Sequence, residues 1–192
     1  LSTPLLIIGR VGGKGKVKRR PLVALRALRN LVRNPEDTAQ VFVIMRALSG
    51  DAIARGCARF AATETGAALL KDARDLVPVL ADRARLASLP EGSVGRAYVD
   101  LVERAGINAQ ELVDVSEEVA SEYTELNAEQ AVYARRLRDA HDLWHTVTGY
   151  NTDTFGEVCV VAFSYAQTRN LGFAAIALIG ALKIARETRE PK

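Results

Sequence analysis

The stretch "RRLRDAHDLWHTVTGYNTDTFGEVCVVAF", residues 135–163, holds both histidines of the chain, His141 and His145, four residues apart. It reads as two helices around a sharp reversal. Gly149 stops the first, "YNTD" makes the turn, and Thr152 or Asp153 can cap the second. At about 100° per residue, His141, Asp142 and His145 fall at roughly 0°, 100° and 40° around the helix axis, so all three can point into one quadrant. The reversal then lets Glu157 reach the same point from the first turns of the next helix. Two imidazoles and two carboxylates form a ligand set of mixed hardness. It suits Zn²⁺ first and also accepts Fe²⁺, Mn²⁺ or Co²⁺.

The pattern differs from the HExxH of zinc proteases, because Asp142 stands where the general-base Glu would be and is one methylene shorter. Arg138 lies three residues before His141 and four before Asp142, over the same face. It could hold a ligand carboxylate, a substrate carboxylate or a phosphate, or simply pair with Asp142 or Asp139. Trp144 and Tyr150 flank the site, and an aromatic near a helix end serves core packing more often than substrate contact. Cys159, two residues past Glu157, points to the other side of its helix and is not counted as a ligand.

Outward from this stretch the chain is punctuated as helices, with no internal repeat and no alternating strand pattern. "PLVALRALRNLVRN" sets Leu25, Leu28, Leu31 and Val32 on one stripe and Arg26, Arg29 and Arg33 on another. In "NPEDTAQVFVIMRALSG", Asn34 offers an N-cap, Pro35 the first helical position and Gly50 the stop. Helices follow over 51–61, 64–77 and 78–87. Pro90 and Gly92 mark a turn, Ser93 caps a helix that Gly106 ends, and Asn108 caps a short one over 109–119. Asn127 caps a long helix running to about Thr148, and a last apolar helix starts near Asn170. The expectation is an all-α, single-domain multi-helix bundle over residues 21–190, with a metal site between two neighbouring helices and a basic tail over 1–20.

Composition supports this: 192 residues, 48% apolar and 26% charged, with 6% aromatics, suit a helical domain able to bury a sizeable core. The net charge of +3 conceals an uneven distribution. Nine of the 26 Lys and Arg lie in residues 1–35, which hold no acid, so 17 bases face all 23 acids in residues 36–192. An acidic body argues against a nucleic-acid binder. A basic head suits an anionic membrane surface or a solvated tail. Cys57 and Cys159 sit in apolar surroundings and read as reduced thiols. "LSTPLLIIGR" lacks the marks of a secretory signal. "LGFAAIALIGALKIA", residues 171–185, falls short of a membrane span.

"RLRDAHD" followed by "HDLWH" and by "GE" at Glu157 resembles the signature of the coenzyme Q (ubiquinone) biosynthesis protein 4 family. "LRNLVRNPEDTAQVFVIMRALSG" and "LPEGSVGRAYVDLV" agree with it, so the resemblance covers about residues 21–180. Asp139 stands where many members have Glu, and "YNTDT" differs from the more apolar turn of mitochondrial members. The resemblance implies an all-helical fold, a divalent metal usually described as zinc on His141, Asp142, His145 and Glu157, a groove for a polyprenyl lipid, and peripheral membrane association. It also implies oxidative decarboxylation at ring carbon one of a polyprenylated precursor, and organisation of other quinone biosynthesis proteins. A polar head that wants a Lewis acid and a tail that wants an apolar channel match the metal quartet and the helices over 158–166 and 171–185. There Gly172, Ala174, Ala175 and Gly180 either leave room for a tail or permit close helix packing.

The leading reading is therefore a metal-dependent enzyme that binds the phenolic head at the metal, with Arg138 nearby. Its rivals are a non-enzymatic lipid-binding scaffold with a structural metal and a paralogue acting on another isoprenoid. A homodimer is open to either. The Ala- and Arg-rich composition and the lack of a recognisable transit segment suggest a bacterial cytoplasmic protein held at the inner membrane by the basic head and the amphipathic helix over 22–33.

Overall fold

The computed structural model describes residues 18–34, 37, 39–106 and 126–188. Among these are eleven α-helices and no strand: α1 Pro21–Arg33, α2 Ala39–Ser49, α3 Ala52–Ala61, α4 Glu64–Lys71, α5 Val77–Ala81, α6 Arg83–Ala87, α7 Val94–Ala105, α8 Ala128–Asp139, α9 His141–Thr148, α10 Thr154–Thr168 and α11 Leu171–Glu187. The fold is all-α, as the spacing predicted. The expected caps at Asn108 and of a helix over 109–119, and Pro35 as a first helical residue, lie outside the described residues. So does the basic tail, except for residues 18–20. There the Arg19 Nε donates to the Leu48 carbonyl at 3.2 Å and the Arg20 amide to the Ala47 carbonyl at 2.7 Å.

Capping chemistry sets most boundaries. Asn127 and Gln130 form a reciprocal capping box at the start of α8, satisfying two orphan donors at once. Ser93, Asp153 and Asn170 each accept a backbone N–H in the first turn of α7, α10 and α11. Asn34 does not cap α2, which begins at Ala39; its amide instead closes α1 on the Asn30 carbonyl. Three further boundaries differ from the sequence reading. The helix predicted over 64–77 stops at Lys71, with Ala73 at a φ of +48°, and the one over 78–87 is the two short helices α5 and α6. The long helix after Asn127 breaks at Ala140, which stays right-handed at a φ of −80° but has its ψ opened to −2°, and this separates α8 from α9.

Three apolar clusters hold the helices together. Ala24 and Ala27 of α1 pack on Ile44 and Ala47 of α2. Cys57, Leu70, Val132 and Tyr133 join α3, α4 and α8, with Leu137 beside them. Leu80, Leu86, Tyr98, Val99 and Val102 join α5, α6 and α7, with Leu143 of α9 against them. On α1 the predicted stripe is thus divided. Alanines go inward because they allow a close approach to α2, leaving Leu25 and Val32 exposed. α10 and α11 pack closely on each other, and α11 also lies on α2. A Cβ at Gly172 would meet the backbone of Met45, and one at Gly180 would meet Val158. These glycines serve helix packing; the space beside them is filled.

Candidate metal centre

α9 is anchored from below by Leu143 on the α7 cluster and ends at Gly149, whose φ of +74° turns the chain out of the helix. Asp153 then caps α10, its side chain taking the Gly156 amide at 2.8 Å and its carbonyl the Glu157 amide at 2.8 Å. The first turn of α10 therefore faces α9. Trp144 on α9 meets Phe163 on α10 edge-on, ring centroids 5.8 Å apart, closing the seam on the apolar side.

Three of the four predicted ligands converge there. His141 Nε2 lies 3.2 Å from Glu157 Oε2, His145 Nε2 lies 3.3 Å from Glu157 Oε1, and the two Nε2 atoms are 3.3 Å apart. Ligand atoms of His141, His145 and Glu157 all fall within 4.8 Å of one another. The donor set fits a divalent ion. With ligand bonds of about 2.0–2.1 Å, a tetrahedral shell has edges of about 3.3 Å, the length found here.

Asp142 is not in this three-residue group, but it feels its charges. Burial raises the Asp142 pKa, the positive charges of His141 and His145 lower it, and Glu157 raises it again, for a net rise. Burial also raises the Glu157 pKa. The hydrogen bonds and charges of the two imidazoles outweigh that and hold it down at about 2. For His145, burial favours the neutral ring, yet the bonds to Glu157 and to the Tyr150 carbonyl, with the charges of Glu157 and Asp142, raise its pKa. Its side chain is completely buried, whereas those of His141 and Glu157 are 34% and 44% exposed, so the group opens to one side.

Arg138 lies at the end of α8, just before the site helix. Its Nε and Nη2 donate to Asp139 Oδ1 at 2.8 and 2.7 Å, with Asp139 only 2% exposed. Of the alternatives in the sequence, the structure makes the Asp139 pair. Cys57 and Cys159 are free thiols. One contributor escaped the sequence reading: the backbone carbonyl of Tyr150, which accepts from His145 Nδ1 at 3.0 Å. A carbonyl leaves no residue-type signal; only the glycine that aims it is legible.

The family described as "Coenzyme Q (ubiquinone) biosynthesis protein Coq4" has a model that matches residues 14–191. The chain belongs to this family. Among its Coq4 relatives are the "Ubiquinone biosynthesis protein coq4, mitochondrial" of Talaromyces stipitatus, 31% identical over 127 residues, 66% of this chain and 41% of that protein. The protein of the same printed name from Coprinopsis cinerea is 31% identical over 131 residues, 67% of this chain and 42% of its own length. That of Pyricularia oryzae is 33% identical over 107 residues, 56% of this chain and 33% of its own. The match thus spans about two fifths of the curated relatives' length, and the family is one of ubiquinone biosynthesis. These relatives overturn the expectation of a bacterial cytoplasmic protein, since they are fungal and named mitochondrial. Alanine and arginine content carries no compartment signal, and a chain beginning at Leu1 gives no reading of a leader. No helix among the described residues is long and apolar enough to cross a membrane.

Proposed function

We propose that this Coq4-family chain acts in mitochondrial ubiquinone biosynthesis as a metal-dependent enzyme on a polyprenylated phenolic carboxylate, removing the carboxyl group at ring carbon one. The observation that supports it most is the triangle of His141, His145 and Glu157 donors, open on one side. Three protein ligands with room for a fourth is the arrangement of a zinc site that does chemistry, whereas a structural site is closed by four. Asp142, the fourth residue of the proposed set, would line the open side and leave room there for substrate. Bound there, Zn²⁺, or Fe²⁺, Mn²⁺ or Co²⁺ in its place, supplies Lewis acidity to the substrate's phenol or carboxylate oxygen.

The chain's own residues do the rest. Buried His145 and the anchored α9 fix the geometry, and the exposed edges of His141 and Glu157 face the incoming ring. Asp142, half-buried beside the imidazoles on α9, adds a carboxylate to the lining of the same site. Arg138 serves the site by fixing Asp139 beside α9, and a direct substrate contact is the second part of its proposed role. The net change replaces carboxyl by hydroxyl. One water is consumed, carbon dioxide, two protons and two electrons leave, and dioxygen takes the electrons and protons as hydrogen peroxide. Zinc would not pass those electrons, so their acceptor route would need a redox-active ion held by His141, His145 and Glu157 or a ring that autoxidises.

Access to a lipid substrate is consistent with the far flank. Leu22, Leu25 and Val32 of α1 and Leu178 and Leu182 of α11 are exposed. Arg26, Arg29 and Arg33 share α1 with the first three. A groove of about 330 Å³ is lined by Val32, Ile179, Leu182, Lys183, Arg186 and Glu187. An anionic membrane surface, the polyprenyl tail and other quinone biosynthesis proteins are the partners this surface suits. To test the reading, purified protein loaded with each divalent metal is given the polyprenylated carboxylated precursor under air and product mass is followed. Loss of 44 mass units with gain of 16 is expected from the masses of carbon dioxide and oxygen, roughly; no turnover with any metal overturns the enzyme.

A further inference from the structure

Gly149 has open space around it: a Cβ built there would meet no heavy atom within 4 Å. Its φ is nevertheless +74°, a conformation that costs any L side chain except, in part, Asn or Asp. The demand for glycine is thus conformational and not steric. What the conformation delivers is the next residue's carbonyl. Instead of continuing the helix, the chain swings so that the Tyr150 carbonyl faces back onto α9 and accepts from His145 Nδ1 at 3.0 Å.

That contact decides which nitrogen carries the proton. A carbonyl only accepts, so Nδ1 must be the N–H, and the neutral ring keeps its lone pair on Nε2. Nε2 is the atom 3.3 Å from His141 Nε2 and 3.3 Å from Glu157 Oε1. The turn is held down independently at its other end. A Cβ at Gly156 would collide with the Asn151 carbonyl oxygen, so the turn lies flat on the start of α10, where Asp153 also caps the helix.

We infer that Gly149 is a positioning residue of the metal centre, acting through the Tyr150 carbonyl to fix the ring plane and tautomer of His145 with Nε2 turned to His141 and Glu157. Its importance for metal affinity rests on the metal reading proposed above. The ring lock itself belongs to the chain without metal. A group that orients a ligating imidazole is typically worth about 10–100-fold in metal affinity.

The test uses the full chain and two variants, Gly149→Ala and Gly149→Asn. Ala has no side chain to support a left-handed φ, whereas Asn does. Imidazole ¹⁵N–¹H correlation spectra of the metal-free protein, in mildly alkaline buffer with the rings neutral, report the His145 tautomer. Competition with a chelator reports zinc affinity, and circular dichroism reports folding. In the wild type His145 is protonated on Nδ1. Gly149→Ala is expected to give mixed His145 tautomers and to lose about 10–100-fold in zinc affinity, while Gly149→Asn recovers most of both.

An unchanged tautomer and affinity in Gly149→Ala overturns the inference. So does an equal loss of affinity in Ala and Asn with the tautomer preserved, which would make Gly149 a helix stop and nothing more. Should neither variant fold, the wild-type spectrum decides alone, and a proton on Nε2 overturns it. A wild type that shows the Nδ1 tautomer but takes up no zinc sinks the metal reading while leaving the lock standing.

Discussion

The α9–α10 corner and the α1–α11 flank are built by opposite means. At the corner, side chains of limited reach are fixed by hydrogen bonds: Asp153 on the Gly156 amide, the Tyr150 carbonyl on His145, and both imidazoles on Glu157. At the flank, alanines and glycines bring backbones together, as Ala24 and Ala27 do on α2 and Gly172 does on Met45, and larger side chains are displaced outward. Leu22 is left 71% exposed and Val32 70% exposed. A region specified by hydrogen bonds defines the positions of a few atoms. One specified by small-residue packing defines a surface. The first suits chemistry at a point, the second contact with something apolar and extended.

If the two ends are independent, damage should stay where it is made. The largest effect belongs to His145→Ala. Removing one of three ligands forfeits about a third of the roughly 10–16 kcal/mol that a zinc site can supply. That is a loss of about a thousandfold in zinc affinity by chelator competition, with salt-dependent lipid binding unchanged. Next is Ile44→Ala at the other end, where a side chain 1% exposed leaves a cavity. A loss of about 3 kcal/mol in denaturant unfolding is expected, with zinc affinity retained. A loss of zinc binding by the folded variant would show the ends to be coupled.

Weaker still is the charge on α1. Arg26→Gln with Arg29→Gln should weaken binding to anionic vesicles by about 2 kcal/mol, near thirtyfold, at about 1 kcal/mol per basic residue close to the surface. Added salt should do the same to the wild type. Binding indifferent to both would remove the membrane from the account of this flank.

The smallest effect is the pH dependence of the metal-free corner. Glu157 has a folded pKa depressed to about 2, below its ordinary 4.5. Its contribution to stability is therefore complete above about 4.5 and disappears as pH falls toward 2. Glu157→Gln should flatten the thermal stability profile in that window; because Glu157 also raises the His145 pKa, it should in addition reduce the stability lost as pH rises past the histidine range. A profile unchanged by the substitution would mean that the two imidazoles do not hold the carboxylate in solution.

Much of the corner was legible because its determinants are local. Gly149 and Asp153 carry capping signals within a turn of where they act, and an i,i+4 histidine pair keeps its face wherever the helix goes. What was not legible depends on partners distant in sequence. No glycine or proline marks the break at Ala140, yet α8 ends there on a buried Asp139 paired with Arg138. On α1 the hydrophobic stripe pointed to leucines, whereas the close approach of α2 selects alanines. Gly180 offered either a channel or a packing contact, and only Val158, from the neighbouring helix, decides it. The compartment was read from composition and was corrected by the relatives, since composition follows genome and fold as much as location.

The convergence of His141, His145 and Glu157 on one ion is tested most directly by zinc X-ray absorption of the loaded protein at one equivalent. The account predicts a shell of only nitrogen and oxygen, at about 2.0–2.1 Å, with the multiple-scattering signature of two imidazoles, and loss of that signature in His145→Ala. A sulfur ligand, a single imidazole, or zinc that dialyses away as readily from the wild type as from His145→Ala would contradict it.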